Sequence, residues 1–431
     1  MCGIAGYFGK TIAPDRAETL LRTMVAALRH RGPDGEGIMV EAGAGLAHTR
    51  LSIVGLADGA QPMAMEDAGL AVSFNGEIFN YVELRDDLIA RGHRFKTTSD
   101  TEVLLAAYAQ KGLGCLDDFN GDFAFALHDR KNRRLVLARD RMGVRPLFYT
   151  EHEGALFFAS EIAALTALPG MAAEIDPIAL DQIFTLWCPI PPRTAFRNIH
   201  ELPPGHVMIL EDGVRTIRPW WQLSFPDRAD APPSARLESQ VEELRALLAD
   251  ATRIRLRADV PVGAYLSGGI DSAVIAALAA KSVTRGLRTF SLTFRSAEHD
   301  ESAWQRLMAA TLDAEADSVE CTTEAIAARL PDVMRHVERP ILRTAPMPLH
   351  LLSARVNERG MKVVLTGEGA DEIFAGYDLF REARVRRFCG RQPASTRRPR
   401  LFQRLYPYLP GLKQQTPDYL ARFFAFGAEA Q

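Results

Sequence analysis

The sequence predicts an α+β layered domain followed by an α/β domain built on a doubly wound parallel sheet, and three features carry that prediction. Short strand-like runs mixed with helical ones fill roughly the first two hundred residues, as in "FAFALHDRKNRRLVLARD". Such antiparallel runs with peripheral helices imply a layered α+β unit. Between about Ser224 and Gln240 the text becomes "SFPDRADAPPSARLESQ", polar and proline-bearing as linkers are. Beyond it strands and helices alternate, the pattern of a parallel sheet with helices on both faces. The expected boundaries are 2–213 for the first domain, 214–240 for a linker and 241–431 for the second domain.

Taken in order, "LAVSFNGEIFNYVELRDDLIARGHRF" reads as a strand from Leu70 to Phe74, a turn at Asn75-Gly76 and a helix. That helix opens on a capping-box pattern, Asn80 with Glu83 three residues on, and stops near Gly92. "FAFALHDRKNRRLVLARD" is then two strands joined by a polar turn. In the second domain an amphipathic helix spans Val241 to Ile254, and a strand from Val260 to Leu266 enters a glycine turn and another helix. "LRTFSLTF" adds a strand, and "MKVVLTGEGADE" a strand followed by a turn. There is no internal repeat or low-complexity tract.

Composition narrows the function classes. With 47% hydrophobic and 24% charged residues the chain can build cores of ordinary size. A net charge of -3 gives no electrostatic footprint for nucleic acid or an anionic membrane, and the eight arginines between Arg381 and Arg400 read as solvated surface. The five cysteines are scattered with no CxxC pair, which argues against a disulfide framework or a cysteine zinc site. No apolar run approaches the ~18 residues of a membrane span. No charged leader and apolar stretch stand ahead of Cys2, so it does not read as part of a signal. A reducing cytoplasm is the expected compartment.

The opening "MCGIAG" places a thiol at the second residue. Methionine is commonly trimmed before a small residue, which would put a free α-amine beside the Cys2 thiol. An α-amine titrates near ~7.7–8.0 and a cysteine near ~8.5, so one residue would supply nucleophile and base. Taken alone, Cys2 is an ordinary small residue. A thiolate attacking an amide also needs an oxyanion hole and a grip on its substrate. "RLSI" offers Arg50, whose fork suits a carboxylate, and "FNGEI" offers the Asn75 amide and the Gly76 N–H. "SDTEV" puts Asp100 at a helix start, where it could meet an ammonium or serve as an N-cap. "HRGPDGEG" could by itself be only a turn.

In this order and spacing, "MCGIAG", "HRGPDG", "RLSI", "FNGEI" and "SDTE" resemble the class II glutamine amidotransferase domain, whose nucleophile is N-terminal. The resemblance implies that Cys2 attacks the glutamine side-chain amide while Asn75 and Gly76 form the oxyanion hole. It implies that Arg50 binds the glutamine carboxylate and Asp100 its amine. Ammonia then leaves, and a glutamyl thioester is hydrolysed.

"VPVGAYLSGGIDSAVIAALAA" joins a strand, a tight glycine loop and a helix, so backbone N–H groups from Ser267 through Gly268 and Gly269 to Asp271, with the positive end of the helix dipole, make an anion site, and Ser272 joins them in the ATP-binding set that the family resemblance below implies. It lacks the GK[ST] ending of a Walker A loop, and a lone SGG turn can be purely structural. The full SGGxDS string resembles the pyrophosphate loop of N-type ATP pyrophosphatases. "VVLTGEGADEIFAGY" puts Thr366, Gly367 and Glu368 just past a strand's carboxyl end, where open parallel sheets bind ligands. With both loops behind the thiol domain, the chain resembles the glutamine-hydrolysing asparagine synthetase family. That resemblance implies Mg-ATP as co-substrate, an ATP pocket including Leu266, Leu292, Thr366 and Gly367, and Glu368 at an aspartyl-adenylate step. Asp271 and Asp371 would hold magnesium. Glutamine, aspartate and ATP are the implied partners, with no nucleic acid or membrane and a homodimeric assembly. Ammonia would pass between the sites through a dry passage, since water would protonate it.

Two departures bear on the acceptor. Family members surround a proline ahead of the last strand with an acidic pair and a further aspartate, whereas this chain reads "HVERPILRTAP", with Arg339 and Arg343 replacing two acids and Glu338 remaining. Members also continue well beyond "GEGADE", with a basic segment closing the synthetase pocket. A relative amidating another carboxylate, of a secondary metabolite, cell-envelope or peptide substrate, therefore stands beside aspartate as an expectation. A non-catalytic paralogue is opposed by Cys2, Arg50, Asn75 and Asp100, and aminosugar synthesis by "SGGIDS".

Overall fold

The computed structural model describes residues 1–225, 236–283, 286–296, 298 and 300–425, so residues 226–235 of the expected linker lie outside the described residues. In chain order the first part contains β1 (Gly3–Phe8), α1 (Pro14–Leu28), β2 (Gly35–Glu41), β3 (Ala44–Arg50), β4 (Met63–Met65) and β5 (Leu70–Ile78). It continues with α2 (Tyr81–Ala90), α3 (Asp100–Lys111), α4 (Cys115–Asp118), β6 (Gly121–Asp129), β7 (Arg134–Arg139), β8 (Phe148–His152) and β9 (Ala155–Ala159). It ends with α5 (Ile162–Thr166), α6 (Pro177–Leu186), β10 (His200–Glu201), β11 (His206–Glu211) and β12 (Val214–Pro219). The strands form two antiparallel six-stranded sheets, ordered β10-β8-β9-β1-β3-β2 and β12-β11-β7-β6-β5-β4.

The period-two alternation of β1 explains how the sheets stack. Ile4 and Phe8 face the second sheet, in a core that also holds Ala124, Leu137 and Met208. Ala5 and Tyr7 point the other way, onto α1. That helix presents Leu20, Leu21, Met24, Val25 and Leu28 at helical spacing, with Pro14 placed in its first turn, where its missing N–H costs nothing. On the far side, α3 and α4 pack on the outer face of the second sheet. The layers are helix, sheet, sheet, helix, as the α+β reading requires.

Three local expectations are corrected. Asn75-Gly76 is not a turn: β5 runs straight through it, with Asn75 opposite Ala124 and Gly76 opposite Phe123 on β6. Pairing with β6 favours the extended backbone, and a Cβ on Gly76 would lie 2.2 Å from the Asp122 carbonyl oxygen. Asn80 makes no capping box; its amide donates to Asp118 O and its oxygen accepts from Asn120 N, both at 2.9 Å, while Glu83 pairs with Arg257. The linker does not begin at 214. Asp212 and Gly213, both at positive φ, make a tight hairpin turn, and Val214–Pro219 pairs with β11. Trp220 then stacks on Phe123, with ring centroids 5.9 Å apart.

The second part contains α7 (Leu237–Arg255), which starts four residues before the expected helix, β13 (Val262–Tyr265), α8 (Ile270–Ser282), β14 (Arg288–Thr293), α9 (Ser302–Thr311) and β15 (Glu315–Glu320). Next come α10 (Thr323–Val337), α11 (Pro346–Glu358) and β16 (Val363–Leu365). The four strands are parallel and ordered β15-β14-β13-β16. Ala276 and Ala279 of α8 and Ala309 of α9 cover one face, and Leu352 and Val356 of α11 share a second core with Phe290. This is the doubly wound arrangement, and the strand order reverses between β13 and β16.

By compactness the chain divides differently from its sequence motifs. Met1–Gly268 and Ile275–Leu365 form one unit; Gly269–Val274 and the residues from Thr366 onward form another. The latter contains α12 (Ala370–Phe374), α13 (Asp378–Gly390), α14 (Pro410–Lys413) and α15 (Pro417–Ala425), with a small core of Phe402, Leu405, Leu420 and Phe424. No residue of α13 is buried, in keeping with a solvated arginine-rich face. No described helix is long and apolar enough to cross a membrane.

Gly6 tests the seat of β1. A Cβ there would lie 2.3 Å from both the Gly45 carbonyl oxygen and the Phe158 ring, so Gly6→Ala is expected to destabilise the fold by about 1–3 kcal/mol, read as a lowered urea midpoint at unchanged slope.

Candidate active site

Cys2 sits at the mouth of β1. Its Sγ accepts from Leu51 N at 3.4 Å and lies 3.6 Å from Leu51 O. Gly3 pairs with Thr49 in the β1–β3 ladder, which brings the end of β3, and Arg50 with it, to the same spot. The Arg50 guanidinium donates to the carbonyls of Val54, Gly55 and Leu56 and so shapes the loop after β3. Gly59 makes room for it, since a Cβ there would stand 2.5 Å from Arg50 Nη2.

Asn75 and Gly76 approach from β5. Asn75 is buried, yet its Nδ2 has no hydrogen-bond partner. Phe123, opposite Gly76, uses both backbone groups on Asp140: its N donates to Asp140 Oδ2 at 3.2 Å and its O accepts from Asp140 N at 2.8 Å. In antiparallel pairing a residue's N–H and C=O point to one side, so the Gly76 N–H is directed away from β6. β4 pairs β5 only from Leu70 to Val72, which leaves that edge open at Gly76.

Asp100 is not the cap of α3. Ser99 is, accepting from Thr101 N at 3.2 Å, while Asp100 is buried and accepts from Ile78 N at 3.0 Å. Cys2, Arg50, Asn75, Gly76 and Asp100 all line one cavity of about 220 Å³. The five residues singled out from four separate motifs are thus brought together.

The cavity also has walls not singled out from the sequence: Glu77, within "FNGEI", Arg145 and the stretch Lys362–Val364. Asp140 accepts from the N–H groups of Met142, Val144 and Arg145 and so fixes the turn that carries Arg145, whose Nε is buried without a partner. The Asp140-to-Arg145 turn, "DRMGVR", is the signal that could have pointed to it. Lys362 Nζ donates to Asp34 Oδ2 at 2.7 Å, just before β2, and to Ser52 O at 3.2 Å, in the loop after β3, so β16 is set against both. Nothing local in "MKVVL" marks it as a cavity wall.

Burial dominates the electrostatics. It pushes the Cys2 thiol up, opposed by the Leu51 backbone and by the charges of the α-amine, Arg145 and Arg50. It lowers the Met1 α-amine to about 6, helped by Arg31 and Arg145. It raises Glu77 to about 7, assisted by Asp100, and raises Asp100 itself to about 6. Burial therefore favours the neutral form of the Met1 amine beside the thiol.

In the parallel-sheet region, Leu266 and Leu292 stand at the carboxyl ends of β13 and β14. Leu266 N donates to Phe290 O at 2.9 Å, and Leu292 O accepts from Gln305 Nε2 at 2.9 Å. The chain leaves β13 into Ser267 and Gly268, and Gly268 N–H already takes an anionic oxygen, Glu301 Oε2 at 2.8 Å. In the smaller unit, Asp271 and Ser272 lie against Gly367, where a Cβ would stand 2.7 Å from Ser272 N. Thr366 Oγ1 accepts weakly from Glu368 N at 3.4 Å, and Asp371 O accepts from Gly376 N at 2.9 Å.

Residues 1–221 match the family model for a glutamine amidotransferase domain, and residues 243–429 match that for asparagine synthase. Glutamine-hydrolyzing asparagine synthetase 1 of Bacillus subtilis is 36% identical over 89% of this chain and 60% of its own length. Amidase chyE of Penicillium rubens is 37% identical over 88% of this chain and 60% of its own. Asparagine synthetase B of Escherichia coli is 34% identical, over 89% and 66%. The chain thus spans about 60–66% of the length of these curated relatives.

Glu77 and Asp100 set a pH dependence of stability. Both hold their protons more tightly when folded than when unfolded, so the folded chain binds more protons between about pH 4 and 7 and stability falls as pH rises through that window. Urea unfolding at pH 4.5, 6 and 8 should show Glu77→Gln losing less stability across this range than the parent.

Proposed function

The chain belongs to the family that joins a glutamine amidotransferase domain to an asparagine synthase domain, and on that premise we propose that it releases ammonia from glutamine at Cys2 and delivers it to a carboxylate activated by ATP. The observation that carries this reading is the single cavity lined by the Cys2 thiol, the unpartnered Asn75 amide, the Arg50 guanidinium and the buried Asp100 carboxyl.

Arg50 takes the glutamine carboxylate and Asp100 its ammonium, which turns the side-chain amide toward Cys2. Removal of Met1 gives Cys2 its own α-amine in the same desolvated place, where it accepts the thiol proton. The thiolate adds to the amide carbon, and the developing oxyanion receives Asn75 Nδ2 and the Gly76 N–H. The amine returns the proton to the leaving nitrogen, ammonia departs, and water hydrolyses the thioester to glutamate. An orphaned buried donor such as Asn75 Nδ2 costs folding energy and is repaid only when substrate arrives.

For the second half-reaction, backbone N–H groups from Ser267 to Ser272 and the N-terminus of α8 are proposed to hold the pyrophosphate of ATP; Glu301 on Gly268 N–H supports an anion there. Leu266, Leu292, Thr366 and Gly367 complete the proposed ATP set. Magnesium is held by one or two carboxylates plus phosphate oxygens, a donor set that Asp271 and Asp371 suit. It would offset the charge of the departing pyrophosphate. Glu368 serves the adenylate step, and ammonia then displaces AMP from the acyl group. Ammonia would travel through a dry passage, which keeps it unprotonated.

Aspartate is the proposed acceptor, giving asparagine. A second reading, another carboxylate, is favoured by one observation: none of the three expected acids is free. Arg339 replaces one, Arg343 replaces another and stacks 3.6 Å over the Trp187 ring, and Glu338 is spent on Ile162 N and Ala163 N at 2.8 and 2.5 Å.

Incubation with glutamine and Mg-ATP, with and without aspartate, separates these readings. Glutamate, AMP, pyrophosphate and asparagine support the first; AMP only with another carboxylate supports the second; glutamate without AMP under all acceptors contradicts ligase function. Cys2→Ala should abolish glutamine use and spare ammonia use. Asn75→Ala should lower glutaminase kcat by about 10²–10³-fold with little change in KM. The KM for glutamine should rise as pH falls below about 6, where Asp100 protonates and its hold on the ammonium is lost.

A further inference from the structure

We propose that His30, Glu161 and His336 form a binding site for a borderline divalent metal ion, with zinc the ion their donor set suits. One ligand atom from each lies within 4.8 Å of the others, and among the described residues no other group of three histidine, cysteine or acidic side chains meets that spacing. None of the three lines the glutamine cavity.

The chemistry of the set argues for a transition metal over magnesium. Two imidazoles and one carboxylate are a zinc-type ligand combination, whereas magnesium prefers oxygen alone. The His30 and His336 rings are in contact, centroids 4.5 Å apart and tilted by 49°. His30 Nε2 stands 3.1 Å and Arg31 Nη1 2.7 Å from Glu161 Oε1. A carboxylate has about four lone-pair sites, so Oε2 remains for an ion.

Arg31, Arg335 and His350 oppose a dication, while the Glu161 carboxylate favours it. A tetrahedral ion with bonds near ~2.0–2.1 Å needs ligand atoms about 3.3 Å apart. The two histidines are exposed, whereas Glu161, with only 10% of its side chain accessible, is the fixed point. Three protein ligands leave the fourth position to water.

The ligands come from three places: the turn after α1, the residue before α5 and the last turn of α10. His30 and Glu161 lie in the glutamine amidotransferase match and His336 in the asparagine synthase match, so an ion would cross-link the two. Arg31 connects this site to the nucleophile, donating from Nε to Cys2 O at 2.8 Å as well as to Glu161.

The test is zinc titration of the full chain against a competing chelator, in a Cys2→Ser background that removes the cavity thiol. One tight equivalent is expected, insensitive to millimolar magnesium, and His336→Gln should weaken it at least tenfold. Zinc should raise the unfolding midpoint of the parent and not of His336→Gln. Should that variant fail to fold, His30→Asn replaces it. Cobalt in place of zinc should give weak visible bands without a thiolate charge-transfer band. No stoichiometric binding, equal affinity in the histidine variants, or a thiolate band would each overturn the site.

Discussion

Cys2 is held in place because β1 cannot slip. Its backbone is laddered to β3 on one side and β9 on the other, and its side chains alternate between two cores that differ in shape. A shift by one residue would send Ile4 and Phe8 into α1 and bring Ala5 and Tyr7 between the sheets. Gly6 adds a steric lock, since the Phe158 ring and the Gly45 carbonyl oxygen occupy the space of its missing side chain. With that register fixed, Thr49 opposite Gly3 sets the end of β3, and Arg50 and Leu51 follow within reach of the sulfur.

The same seat determines the chemistry of the cavity. Its walls strip water from thiol, amine and carboxyl together, so each is driven toward its uncharged form. In the proposed reaction a zwitterionic substrate would meet a guanidinium at one end, a carboxyl that ionises beside its ammonium, and the unpartnered Asn75 amide. Arg31, shared between Cys2 O and Glu161, ties this local order to the neighbouring histidines.

Much of this was legible in the sequence, for identifiable reasons. The glutamine-cavity residues sit in short motifs where residue type limits the chemistry, as for Cys2, Arg50, Asn75 and Asp100. Strand and helix alternation exposed the parallel sheet, since a switch from antiparallel runs to βαβ units changes the periodicity itself. Asn75-Gly76 misled because an Asn-Gly pair carries the strongest short-range turn signal, and only pairing with β6, more than forty residues away, overrides it. Asn80 misled likewise: its polar atoms serve Asp118 and Asn120 instead of the helix. Lys362 and Val363 could not be read at all, because their place on the cavity wall arises from contacts with Asp34 and Ser52, over three hundred residues earlier.

The parallel sheet extends the logic. β13 and β16 flank the point where strand order reverses, and the chain leaves their carboxyl ends into the two glycine-bearing stretches. The central claim, that one desolvated thiol at the mouth of β1 accepts glutamine, is tested most directly by intact-mass and peptide analysis after exposure to an electrophilic glutamine analogue. A single adduct on Cys2, prevented by excess glutamine, is the predicted result. Labelling at Cys115, Cys188, Cys321 or Cys389 instead, or an adduct on Cys2 that glutamine does not prevent, would contradict it.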